Sequence, residues 1–106
     1  MKNSTPTLSP IKVIKLKGAL KGARQSEIRS AFLESKNYSI IAVDLSETTS
    51  VDIPFLNLLV SLKNENSETA ARIKLINPVP EVSKILRLYH LDMAFEMIET
   101  VKPGGL

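Results

Sequence analysis

The chain has 106 residues, 43% hydrophobic and 24% charged, which is ordinary for a soluble globular domain and too short for two separate cores. No apolar run approaches the ~20 residues that span a bilayer, and Met1-Lys2-Asn3-Ser4-Thr5-Pro6 has no apolar signal core, so a cytoplasmic domain without membrane insertion is expected. The absence of cysteine removes disulfides, thiolate nucleophiles and zinc–thiolate sites.

Residues 1–10 are polar with two prolines and read as a flexible tail or an edge strand, leaving 11–106 as the domain proper. Residues 11–16 form a strand, ended by Lys17-Gly18. A helix over 23–35 carries Ile28, Ala31 and Phe32 on one side, and Asn37 closes it because asparagine tolerates the left-handed conformation of a helix end. Residues 40–45 form a second strand. Its run Ile40-Ile41-Ala42-Val43 lacks polar alternation, as in a parallel strand covered on both faces.

Ser46-Glu47-Thr48-Thr49-Ser50 then reads as a polar, hydroxyl-rich loop, followed by a helix that starts abruptly at Asp52 and runs to residue 63. Aspartate is a strong N-cap because its carboxylate accepts the orphan amide hydrogens of the first turn. Pro54 fits that turn, where a missing N–H costs nothing and a fixed φ helps. Phe55, Leu58, Leu59 and Leu62 repeat at i, i+3, i+4, i+7, the stripe of a helix facing a core. Residues 64–68 are a polar turn and 72–76 a third strand. Pro80 opens a further helix with Val82, Ile85, Leu86 and Tyr89 at the same spacing. Leu91-Asp92 turns the chain into a short strand over 95–98, and Lys102-Pro103-Gly104-Gly105 ends it. Alternating strands and helices indicate an α/β sheet with right-handed crossovers.

Net charge is +3, with Lys2, Lys12, Lys15, Lys17, Lys21 and Arg24 all preceding the first acid, Glu27. Such an excess could serve nucleic acid or anionic lipid heads. A solvated strand face accounts for it better, since Lys12, Lys15 and Lys17 share the strand with Ile11, Val13, Ile14 and Leu16. No aromatic platform accompanies the lysines: of three Phe and two Tyr, Phe32, Phe55 and Tyr89 fall on core stripes. Nucleic acid is therefore not an expected partner.

The strand–loop–capped-helix passage resembles the STAS domain, the family of bacterial anti-sigma factor antagonists. The family pattern is an apolar strand ending in Asp-Leu, a short loop, then Asp-Ser-Ser-Gly-Leu opening a helix. Aligned without a gap, Asp44-Leu45 matches the strand end, Asp52 the motif Asp and Leu56 the motif Leu. The family's second Ser, or a Thr in its place, is phosphorylated by a partner kinase and falls on Pro54; Ile53 replaces the other Ser and Phe55 the Gly. The Leu-Lys-Gly-Ala-Leu turn at 16–20 and Leu-x-x-Leu-Asp-x-x-Phe-x-x-Ile at 88–98 extend the likeness over about residues 11 to 99. The resemblance implies a sheet of about four to five strands with helices packed against it. The family usually adds a final helix, and only about eight residues follow Ile98, so that helix is expected to be shortened or absent.

Little points to catalysis. His90 is the only histidine, at a helix end, where the dipole favours a cation. Carboxylates are scattered without metal-ligand spacing, and four glycines are too separated for a phosphate cradle. Neither an enzyme, a metal nor a cofactor is expected. Binding has more support. Ile53, Leu56 and Val60 form a second apolar stripe on the Asp52 helix, roughly 130° from the first, and either pack on the preceding helix or face a partner. The resemblance implies that this helix start and the loop before it dock a protein. That makes Thr48, Thr49, Ser50, Asp52, Ile53, Pro54, Leu56 and Asn57 the candidate partner-binding residues, with Thr48, Thr49 and Ser50 the remaining phosphorylatable ones. As an antagonist the domain would bind a kinase-type anti-sigma factor; as an accessory STAS subunit of an ABC-type lipid transport system it would bind the ATPase.

Overall fold

The computed structural model describes residues 9–35, 37–65 and 67–99. Four parallel strands form one sheet: β1 (Ser9–Lys15), β3 (Tyr38–Asp44), β5 (Ile73–Ile76) and β6 (Glu96–Ile98), side by side in that order. A separate parallel pair joins β2 (Gly18–Leu20) to β4 (Thr48–Val51). The helices are α1 (Gln25–Glu34), entered through a single 3-10 turn (Gly22–Arg24), α2 (Ile53–Glu65), α3 (Ser67–Arg72), α4 (Pro80–Leu88) and α5 (Leu91–Ala94).

The strand order steps in one direction, so crossovers of one hand place their helices on one face of the sheet. Burial follows that rule. Ile14, Leu16, Ile41, Val43, Ile73 and Leu75 point inward and meet Ile28 and Phe32 of α1, Phe55, Leu58 and Leu59 of α2, and Val82 and Leu86 of α4 in one core. On the opposite face Ile11 is paired with Ile40 and Val13 with Ala42. Ile11 and Val13 remain 55% and 59% exposed, and Ile40 and Ala42 are half-buried. The expectation of two covered faces on β3 is met only in part: its outer apolar residues Ile40 and Ala42 are half-buried, beside the exposed Ile11 and Val13 of β1.

Other boundaries differ from the sequence reading for local reasons. Ser9 and Pro10 belong to β1, an edge strand; the rest of the expected tail and the Lys102–Gly105 stop lie outside the described residues. Of the polar turn expected at 64–68, residue 66 lies outside the described residues, while 64–65 end α2 and 67–68 open α3, whose Ala-Ala-Arg run is good helix-forming sequence. The turn at Leu91-Asp92 is the short helix α5. Tyr89, expected in the core, is 51% exposed, because α4 ends at Leu88 and the chain turns away through His90, which sits at φ 62°. Gly18 joins β1 to β2 at φ 77°, a conformation open to glycine without a steric penalty, and its N–H donates to the Glu47 carbonyl at 2.9 Å. Among the described residues no helix is long and apolar enough to cross a membrane.

Candidate functional site

The candidate site lies where β1 and β3 deliver their carboxyl ends to β2, β4 and the start of α2. The stretch read as a hydroxyl-rich loop is a tight turn followed by β4. Asp44 Oδ1 accepts from the Ser46 N–H at 2.9 Å, an aspartate side chain closing its own turn. Burial works to raise the Asp44 carboxyl, but the hydroxyl and amide of Ser46 and the nearby Lys15 outweigh it and hold the group below its ordinary range. Glu47 bonds Lys15 at 2.9 Å and lies 3.8 Å from Lys17. That hydrogen bond and charge hold the Glu47 carboxyl low and raise the Lys15 ammonium. Two lysines of the basic N-terminal run are thus matched by a carboxylate at a solvated strand end.

Thr48 is buried: its hydroxyl donates to the Leu16 carbonyl at 2.7 Å and its N–H to the Leu45 carbonyl at 3.1 Å. The β-branched Thr-Thr-Ser-Val sequence was the available signal for a strand here. Thr49 and Ser50 are exposed, and the register with β2 shifts at this point, Gly18 facing Thr48 and Ala19 facing Ser50.

Asp52 works as the N-cap its sequence position indicates and also as a clamp. One carboxylate oxygen accepts from the Phe55 N–H at 3.1 Å, the third residue of α2. The other accepts from the Gly22 N–H at 3.0 Å, and the Asp52 N–H donates to the Leu20 carbonyl at 3.3 Å. The helix start is thereby tied across to the end of β2. Pro54 packs on the same corner: a Cβ placed on Gly22 would lie 3.1 Å from Pro54 Cβ and 3.3 Å from its Cγ, a tight contact that a larger residue makes only if the ring gives by a few tenths of an ångström. The Arg24 guanidinium donates to the Lys17 carbonyl at 2.6 Å and the Ala19 carbonyl at 3.2 Å, bracing β2 from below. Gly22 and Arg24 escaped the sequence reading, because their partners are thirty residues away or are backbone carbonyls.

The second apolar stripe of α2 divides. Ile53 and Val60 are 48% and 43% exposed, whereas Leu56 is only 4% exposed and belongs to the core. Neither alternative for Ile53, Leu56 and Val60 holds for all three: Leu56 lies on the side turned towards the domain, and the other two face outward. Of the eight candidate residues, Thr49, Ser50, Ile53, Pro54 and Asn57 are exposed, Asp52 is half-buried, and Thr48 and Leu56 are buried. Among the described residues no group of three His, Asp or Glu is placed to hold a metal ion. His90 is exposed at the α4–α5 corner.

A family model described as "Mlab, STAS domain" matches residues 8–99. The chain belongs to that family. Its fold is correspondingly close to that of the anti-sigma factor antagonist SpoIIAA in its unphosphorylated form, with a TM-score of 0.65, 21% identity, and coverage of 93% of this chain and 86% of that one. The phosphorylated form of the Bacillus cell fate determinant SpoIIAA aligns with a TM-score of 0.59 at 20% identity, covering 93% and 89%. At such identity the likeness speaks for the fold alone. No curated protein matches the chain significantly. As in the sequence reading, this STAS domain is an α/β module resembling anti-sigma factor antagonists.

Proposed function

We propose that this STAS domain is a non-catalytic, cytoplasmic regulatory module that binds another protein through the start of α2 and the strand before it, resembling an anti-sigma factor antagonist that sequesters a kinase-type anti-sigma factor. The observation that carries this reading is the clamp: Asp52 fixes a helix start on which Ile53, Pro54 and Asn57 are exposed beside Thr49 and Ser50. A preformed surface of this kind binds without losing conformational entropy in its own backbone.

Pro54 stands where the family carries its phosphorylatable residue. A phosphate there would repel an anionic partner and crowd the helix start. Proline has no hydroxyl, so binding is constitutive or governed by another route. Pro54→Ser alone remains unmodified, because Ile53 and Phe55 also break the motif; phosphate incorporated at residue 54 of that variant by a partner kinase would contradict this.

A second reading uses the same surface. An accessory STAS subunit bound to the ATPase of an ABC-type lipid transport system needs no phosphoserine, and both Pro54 and the matching family description, which names Mlab rather than an antagonist, favour it. Capture of partners on the immobilised domain, with Ile53→Asp/Asn57→Asp as control, separates the two. A kinase-type anti-sigma factor lost in the variant supports the first; a transporter ATPase lost in the variant supports the second. A partner held equally by both proteins places the interface elsewhere.

A further inference from the structure

Along α2 the exposed residues Ile53, Asn57, Val60 and Asn64 fall within about 60° of one another at 100° per residue, a strip roughly 16 Å long. Apolar and amide side chains alternate along it. The carboxylates that open and close α2 are already engaged, Asp52 by the Gly22 and Phe55 amides and Glu65 by Arg29 at 2.9 Å, as is Glu27 of the preceding helix region, by Arg24 at 3.3 Å. Lys21 and Lys63 are exposed, and among the described residues no hydrogen bond or ion pair engages the ammonium group of either. Lys21 is nonetheless held in place. It is extended between Leu20, whose carbonyl accepts from Asp52, and Gly22, whose N–H donates to Asp52, so its backbone is pinned to the helix start on both sides. Lys63 lies in the last turn of the helix, bordering the other end of the strip.

We propose that the strip takes an amphipathic segment of the partner that is acidic at its edges: apolar residues cover Ile53 and Val60, polar groups meet Asn57 and Asn64, and carboxylates pair with Lys21 and Lys63. This rests on the docking reading and adds the partner's charge. Burial of the apolar residues supplies attraction, while the two lysines select sign and speed encounter. A basic segment of the same shape is repelled at both ends.

The test uses two synthetic amphipathic peptides, identical in leucine spacing, one edged with glutamates and the other with lysines. Each is titrated into the isotope-labelled full chain at low and at physiological salt, with backbone amide shifts as readout. The acidic peptide is expected to move the amides of Lys21, Ile53, Asn57 and Val60 and to bind about ten-fold more tightly than its basic twin. Added salt should narrow the difference, and Lys21→Glu/Lys63→Glu should invert the order. Equal binding of both peptides at the strip, abolished by Ile53→Asp/Val60→Asp, overturns the acidic partner and leaves the docking reading standing. No binding, or shifts elsewhere that ignore the Ile53 variant, overturns the proposal, and unchanged partner capture by that variant then overturns the docking reading as well.

Discussion

Asp52 shows how much one carboxylate can organise. It satisfies an orphan amide of α2 and at the same time bonds Gly22 across the corner, so the cap is also a tertiary tie. Asp52→Ala is expected to cost about 1 kcal/mol for the cap and of the order of 1 kcal/mol more for the lost Gly22 bond, read as a lower urea midpoint with an unchanged slope. Asp52→Asn, which keeps a cap oxygen, should lose less. The contrast between Leu56 and Ile53 is equally local. Leu56→Ala should destabilise the domain by about 2–5 kcal/mol, as for a core truncation, and Ile53→Ala by no more than about 0.5 kcal/mol, as for a surface change. Similar losses in urea titrations of the two variants would refute the division of the stripe.

At the scale of elements, the corner formed by β1, β2 and β4 depends on charges at its surface. Glu47 sits lower in the folded chain than free glutamate, held by the Lys15 hydrogen bond and charge and by Lys17, so its contribution is present above the unfolded glutamate range and is lost as pH falls through the folded one. Lys15 is raised, chiefly by the Glu47 hydrogen bond and charge, so its contribution is present below the unfolded lysine range and is lost as pH climbs through the folded one. Glu47→Gln is therefore expected to flatten both ends of the stability–pH curve. Asp44 keeps part of the acid slope, because it too is held low. Both partners of the pair are solvated, so the effect is small and shrinks with salt. Unfolding midpoints measured across acid, neutral and alkaline buffers check it, and an unchanged curve in the variant would exclude the pair as a source of pH dependence.

For the whole molecule, the consequence of the one-directional strand order is a sheet with unequal faces. Val13→Thr on the outer face keeps a β-branched side chain and should change stability by no more than about 0.5 kcal/mol, whereas Ile14→Ala, one residue away on the inner face, should cost about 2–5 kcal/mol. Comparable losses in thermal and urea unfolding would mean that the outer face is covered in solution. The same asymmetry puts α2 in contact with α1, α3 and α5, while Ile53, Asn57, Val60 and Asn64 on its outer side stay exposed.

Features that depend on neighbours along the chain were legible in the residues alone. The cap at Asp52 follows from a carboxylate preceding an apolar helical period. The Phe55-Leu58-Leu59-Leu62 stripe follows from that period, and the break at Gly18 from a residue free of Cβ. The family likeness rests on the same passages, strung in order. Tertiary packing alone decided which of several equivalent-looking residues reached the surface. Thr48 and Ser50 are both small hydroxyl residues, but only Thr48 lies within reach of the Leu16 carbonyl, thirty-two residues earlier. Leu56 and Val60 share a stripe on a helical wheel, but the wheel says nothing of where neighbouring elements sit. Tyr89 keeps the period of α4, yet the helix has ended before it. Local chemistry sets what a segment can become, whereas exposure depends on the elements that surround it, and those are brought together by contacts between residues far apart in the chain.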